Sequence, residues 1–204
     1  MAHHCALDLS FDRLDVMAVD DSQNGHTILR SVLSDLRVQR LRMHKDGRVA
    51  LREMVEDPPN LLVTDWLAGP FDGCALLRAM RHVDNRPLNL VPALVITAFS
   101  TRPYVQRALE AGANQILTKP LSARDLRLRI EWILRDARQF RREGERMVIT
   151  GVEQVLARLN GEPLPVAARP PRAQPERPDR PAAPTATAVP GLAAAGKSAA
   201  SRDF

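Results

Sequence analysis

Apolar residues fall into two rhythms over the first two thirds of the chain: short unbroken runs, and longer stretches where they recur every three or four positions. Asp15-Val16-Met17-Ala18-Val19 is the first run, and it ends at Asp20-Asp21. Ile28, Leu29, Val32, Leu33 and Leu36 then keep helical spacing. Val38 to Met43 alternates apolar with charged residues, as an edge strand does. Val49, Leu51, Met54 and Val55 predict a second helix, stopped by Pro58-Pro59. Leu61-Leu62-Val63-Thr64 reads as a buried strand ending at Asp65, and Asp72-Gly73 precedes a helix carrying Leu76, Leu77 and Met80. Val91 to Ile96 is a further apolar strand, ending at Thr97. Pro103 suits the first turn of a fourth helix, which Gly112 closes. Gln115-Ile116-Leu117-Thr118 is a fifth strand ending at Lys119-Pro120, and Ser122 caps a last helix through Leu126, Ile130, Ile133 and Leu134.

Strands alternating with helices imply an α/β protein with a five-stranded parallel sheet covered on both faces. Right-handed crossovers make that sheet doubly wound, with ligands at the carboxyl ends of its strands. The pattern sets a folded core at 14–139, preceded by a flexible N-terminal segment at 1–13. Met147, Val148, Ile149, Val152, Val155, Leu156 and Leu159 continue helical spacing, interrupted by Gly144 and Gly151, so 140–160 reads as a helical extension that binds a partner, dimerises or packs back on the domain. Residues 161–204 hold 9 of the 16 prolines and little to bury, and read as a disordered Pro/Ala-rich tail.

Composition narrows the function. The 204 residues carry a net charge of +5, of which +2 lies in the tail. With only 8 aromatic residues, the core lacks a nucleic-acid footprint. The Arg-rich stretch from Arg124 to Arg146 reads as a solvated helix face. No apolar run reaches the length of a membrane span, and the first residues lack a signal-peptide pattern. Cys5 and Cys74 are too few for a disulfide framework or a four-cysteine zinc site, so a cytoplasmic location is expected.

The chemistry gathers where strands end. A lone aspartate at a strand end is ordinarily just solvated, an Asp-Asp pair is often a helix cap, and Lys-Pro is a common turn. Here Asp20 and Asp21, Asp65, Thr97 and Lys119 occupy four strand ends that a parallel sheet brings to one edge. Three carboxylates in one cleft repel unless a cation intervenes. Few protein oxygens around a hard ion suit Mg²⁺. Lys119 adds a fixed positive charge and Thr97 a hydroxyl, so the groups together suit a phosphoryl group's oxygens. Asp65, in the middle, is the natural nucleophile for an acyl phosphate.

Residues 14–139 resemble the receiver domain of bacterial two-component response regulators, most closely the stand-alone, chemotaxis-regulator type. Asp20-Asp21 matches the family's acidic pocket, and Asp65 after Leu61-Leu62-Val63-Thr64 its phosphoacceptor, with Asp72-Gly73 at the usual distance. Thr97-Ala98 matches the hydroxyl residue and its small neighbour. Gly112-Ala113, followed by Leu117-Thr118-Lys119-Pro120, matches the segment that ends in the conserved lysine and a cis proline. The resemblance implies a flavodoxin-like sheet of order 2-1-3-4-5. It also implies phosphoryl transfer to Asp65 from a histidine kinase or histidine phosphotransferase, and output through an unnamed downstream protein, with no nucleic acid and no membrane. Mg²⁺ would sit on Asp21, Asp65 and the backbone carbonyl of Leu67, with Asp20 acting through water. The protein would catalyse only its own phosphorylation and dephosphorylation.

Three departures from the family pattern stand out. Ala68 and Gly69 replace the usual Met-Pro, with Pro70 one place late. Ile116 replaces the switch aromatic. The tail offers no core, so no output domain is expected to follow. Leu67 and Phe99 occupy the positions that, by resemblance, line the path of the hydrolytic water, and two apolar side chains there predict slow autodephosphorylation. Two other classes remain: a receiver-like module that binds without phosphorylation, and a phosphatase with an aspartate nucleophile. The second needs an acid two residues after the nucleophile, where Leu67 stands. Trp66 is expected to shield the site, to present a partner surface or to pack on the first helix. His3-His4 reads as a disordered pair, His26 as a solvated helix residue, and His44 and His82 as element ends.

Overall fold

Alternation within each apolar run decides which side of a sheet each residue faces. In the computed structural model, which describes residues 1–68 and 71–159, a two-residue strand β1 (Ala2–His3) opens the chain. The predicted runs form β2 (Asp15–Val19), β3 (Arg40–His44), β4 (Leu61–Asp65), β5 (Ala93–Thr97) and β6 (Gln115–Thr118). Helices α1 (Gln23–Asp35), α2 (Gly47–Glu56), α3 (Gly73–Met80) and α4 (Arg102–Glu110) connect them, and α5 (Ala123–Leu134) follows β6. All neighbours in the sheet run parallel in the order β3-β2-β4-β5-β6. This is the flavodoxin-like order 2-1-3-4-5 expected from the sequence.

Successive residues of a strand point to opposite faces. Met17, Val19, Leu62 and Val95 accordingly pack with α2, α3 and α4 residues such as Met54, Leu77 and Ala108. Val16, Ala18, Val63 and Ile96 pack on the other face with Leu29 and Leu33 of α1 and Ile130 and Ile133 of α5. Both faces are covered, so the strands need no polar side and read as continuous apolar runs. Each fully buried aliphatic side chain contributes roughly 1.5–3 kcal/mol.

Side-chain caps fix where most helices begin. Ser22 Oγ accepts from Gly25 N at 2.9 Å, Asp46 from Arg48 N at 2.8 Å, Asp72 from Ala75 N at 2.8 Å, and Ser122 Oγ from Asp125 N at 3.0 Å. Each such cap is worth about 1 kcal/mol. The exception is α4, which starts with a proline in its first turn and no side-chain cap at Thr101.

The two ends of the described stretch differ from the sequence expectation. The segment 1–13 is not a loose leader. β1 pairs antiparallel with β7 (Gln139–Glu143), Ala6 is fully buried, and buried His4 donates from Nε2 to Asp136 O at 2.9 Å. A two-residue strand is too short to leave a periodic signal, and its partner lies 136 residues away.

The extension is not wholly helical either. β7 and β8 (Arg146–Ile149) form a hairpin, and only α6 (Val152–Leu159) is a helix. Gly144 at φ +62° begins the two-residue loop, a position that needs positive φ and ends any helix there. Trp66 is buried, but it joins the α2–α3–α4 side and not α1, because it follows Asp65 onto the opposite face of the sheet. The tail expected at 161–204 lies outside the described residues.

Candidate functional site

The carboxyl ends of β2, β4, β5 and β6 share one edge of the sheet. Register sets Val19 beside Thr64, Asp65 beside Ile96, and Thr97 beside Thr118. Asp20 and Asp21 leave β2 at this edge, Asp65 closes β4, Thr97 closes β5 and Lys119 follows β6. One carboxylate oxygen each of Asp20, Asp21 and Asp65 lies within 4.8 Å of the others. Asp20 is fully buried, Asp65 is nearly so and Asp21 is exposed.

Lys119 closes the cluster. Its Nζ donates to Asp65 Oδ2 at 2.7 Å and lies 3.5 Å from Asp20 Oδ2. Burial disfavours the Lys119 charge, but the hydrogen bond to Asp65 and the charges of Asp65 and Asp20 outweigh it, so its pKa stands above the ordinary lysine value. Lys119 is therefore a permanent cation at neutral pH. The peptide bond between Lys119 and Pro120 is cis.

Backbone amides hold the remaining groups. Asp20 Oδ1 accepts from Ser22 N at 2.8 Å, and Asp65 Oδ1 accepts from Leu67 N at 3.3 Å. Thr97 Oγ1 accepts from Phe99 N at 3.0 Å, so its hydroxyl is engaged by its own loop. Leu67 is half exposed and Phe99 is 38% exposed, and the Phe99 ring stacks on Tyr104 of α4 at 4.8 Å between centroids. Leu67 and Phe99 thus stand in loops whose amides bind Asp65 and Thr97.

Two glycines make the close approach possible. A Cβ on Gly25 would lie 2.1 Å from Asp20 Oδ2, and one on Gly73 2.7 Å from Asp65 O. Helix α1 can thus start against Asp20, and α3 against the end of β4, only without side chains at these positions. Ser22 and Gly25 escaped the sequence reading, although a serine three residues before a glycine at a helix start was a readable cap. The structure brings together Asp20, Asp21, Asp65 and Lys119, and sets Thr97 and Leu67 one hydrogen-bonded residue from that group. Ile116 lies partly buried on the edge strand β6. His44 ends β3 with Nε2 at 2.6 Å from Glu53 Oε2, and His26 Nε2 donates to the His44 carbonyl at 3.2 Å.

With that geometry in place, the comparisons decide the family. Residues 16–131 match the response regulator receiver domain. The chain belongs to this family. The chemotaxis protein CheY of Pseudomonas aeruginosa is 34% identical over 59% of this chain and 95% of that protein. The probable chemotaxis protein CheY of Rhizobium etli is 29% identical over 59% of this chain and 92% of its own length. A putative response regulator from Chloroflexus aurantiacus has a crystal structure with a TM-score of 0.55 and 28% identity, covering 61% of this chain and 99% of that one. The receiver is thus chemotaxis-regulator-like and belongs to two-component signalling, as the motifs implied. Receiver domains are signalling modules that take phosphoryl groups from histidine kinases or phosphotransfer proteins and bind downstream targets. Among the described residues, no helix is long and apolar enough to cross a membrane.

Proposed function

We propose that this protein is a response regulator that accepts a phosphoryl group on Asp65 from a histidine kinase or histidine phosphotransferase in the cytoplasm and signals by a phosphorylation-dependent protein contact. The observation that carries this reading is Lys119 Nζ at 2.7 Å from Asp65 Oδ2, inside a trio of carboxylates within 4.8 Å. In the transfer, an oxygen of Asp65 attacks phosphorus and the bond from phosphorus to the histidine nitrogen breaks. The nitrogen keeps the electron pair and takes up a proton.

The donor set suits a hard divalent cation: clustered carboxylate oxygens, one of them exposed to water. Asp20, Asp21, Asp65 and the Leu67 carbonyl would hold Mg²⁺. Bound there, Mg²⁺ would offset the repulsion between the carboxylates and the incoming phosphoryl oxygens. Lys119 leaves its ion pair with Asp65 for a phosphoryl oxygen. Thr97 turns about χ1 from the Phe99 amide toward another phosphoryl oxygen, to which its hydroxyl donates. Leu67 has no proton to give a leaving group, so turnover of outside phosphoesters is not expected.

Incubation with acetyl phosphate and Mg²⁺, followed by intact mass measurement, tests this reading. A gain of one phosphoryl group is expected, and it should vanish in Asp65→Asn and on chelation. No gain under saturating donor would overturn the reading in favour of a module that binds without phosphorylation. Steady release of phosphate from a generic phosphomonoester would overturn it in favour of a phosphatase.

A further inference from the structure

The elements beyond α5 lie outside the stretch that matches the receiver family, yet α6 packs on α4 and the hairpin bonds to the segment that follows α3. Helix α6 lies against α4, with Val152 and Leu156 packed on Leu109, Phe140 and Ile149. The hairpin beneath is pinned by Met147 N to Arg81 O at 2.7 Å and by Val83 N to Glu145 O at 2.9 Å. Arg141 of β7 pairs with Glu153 of α6 on the exposed side.

Three features make this contact weak. Helix α6 has eight residues, below the roughly 12–15 at which a helix persists by itself. An open groove of about 150 Å³, lined by Leu109, Glu110, Met147, Val152 and Leu156 among others, runs between α6 and the end of α4, so water reaches their contact. Its partner is also lightly held: of the nine residues of α4 only Val105 and Ala108 are buried, and no side chain caps its start.

A continuous set of contacts joins this helix pair to the carboxylate cluster. Thr97 Oγ1 accepts from Phe99 N, Phe99 stacks on Tyr104 in the first turn of α4, and Leu109 in the last turn meets α6. When Thr97 turns toward a phosphoryl group, the Phe99 amide loses its acceptor and the Phe99–Tyr104 stack loses its anchor. We infer that α6 is an intramolecular latch on α4, seated in the unphosphorylated protein and released when Asp65 is phosphorylated. This rests on the phosphorylation of Asp65 proposed above. The flank that α6 vacates is the part of α4 around Leu109, and the freed α6 offers Val152 and Leu156 to solvent.

Hydrogen exchange read by mass spectrometry on the full chain tests the latch, with and without acetyl phosphate and Mg²⁺, alongside intact mass of the same samples. Phosphorylated protein should exchange the amides of 152–159 about 5- to 150-fold faster, and Asp65→Asn should show no change. A gain of one phosphoryl group with unchanged exchange at 152–159 overturns the latch and leaves the phosphoacceptor reading intact. Absence of any gain overturns both, and the mass distinguishes the two failures. Leu156→Asp, on a peripheral helix, unseats α6 in advance. Its expected signature is fast exchange at 152–159 before phosphorylation and phosphoryl uptake at least about twofold faster than wild type. Uptake at the wild-type rate, with α6 already unseated, counts against the latch.

Discussion

Two of the places where the molecule buries charge neutralise it in two different ways. At the strand ends, Asp20 and Asp65 are answered by Lys119, a charge for a charge. Behind α3, Arg81 is fully buried with neutral partners instead. Its Nε donates to Gly112 O at 3.2 Å, Nη1 to Asn89 O at 3.1 Å and Val91 O at 2.7 Å, and Nη2 to Gly112 O at 2.8 Å and Asn114 Oδ1 at 3.4 Å. The Phe140 ring covers the guanidinium at 4.7 Å. Burial pulls the Arg81 pKa down to about 9, and each of its five N–H donors is matched to an oxygen. The first arrangement leaves a lysine free to change partners and so suits chemistry. The second uses up every donor and suits a fixed joint between α3, α4, β6 and the hairpin.

If that contrast is right, removing Arg81 is the costlier loss to the fold. Arg81→Ala strands the carbonyls of Asn89, Val91 and Gly112 and opens a void under Phe140. A loss of about 3 kcal/mol or more is expected, read as a lower denaturant midpoint at unchanged slope. A loss below that of a single surface ion pair would show that the joint is incidental. At the strand ends the sensitive position is Gly25. Its added methyl in Gly25→Ala collides with Asp20, so Mg²⁺ affinity, followed by quenching of Trp66 fluorescence or by calorimetry, should fall about tenfold or more, since even outer-shell disturbance costs 10- to 100-fold. Unchanged affinity would remove Asp20 from the ion's surroundings.

The same contrast explains what could be read in advance. Asp20, Asp21, Asp65, Thr97 and Lys119 each terminate a recognisable strand, and a parallel sheet leaves one place for strand ends to meet. Side chains that answer side chains leave their types in the sequence. Arg81 is answered mostly by backbone carbonyls, which every residue possesses, so nothing in the sequence marks it. The Arg-rich stretch drew attention while the one arginine fully buried among the described residues lay outside it. β1 and the hairpin were missed for a related reason: Gly144 was legible as an interruption, but the pairing of Ala2 with Phe140 depends on tertiary placement and not on local pattern.

A smaller effect concerns the rim of the carboxylate cluster. Leu67 and Phe99 are exposed apolar side chains that cannot orient water. Leu67→Asn should therefore shorten the lifetime of the phosphorylated form several-fold, measured by loss of the phosphoryl mass after donor removal, with little change in stability. An unaltered lifetime would assign Leu67 to loop packing alone.

The smallest effect lies at the sheet's outer edge, where charge answers charge in partial contact with water. Arg42 donates to Asp15 and, through Nη1, to Glu53 Oε1 at 3.1 Å, while His44 meets the other Glu53 oxygen. Burial pushes the Glu53 pKa up, but the hydrogen bonds and charges of Arg42 and His44 outweigh it, and the net shift is downward. A carboxyl whose folded pKa is lowered stabilises the fold above its unfolded value and loses that contribution as the pH falls through the folded one. Glu53 is 34% exposed, so solvent screening holds the pair to under about 1 kcal/mol. Glu53→Gln should thus be slightly less stable than wild type near neutrality. The two stability curves should converge on acidification, as the wild-type carboxyl takes up its proton. If the difference instead grows on acidification, Glu53 is neutral in the folded state, and the edge of the sheet follows the logic of Arg81 and not that of Lys119.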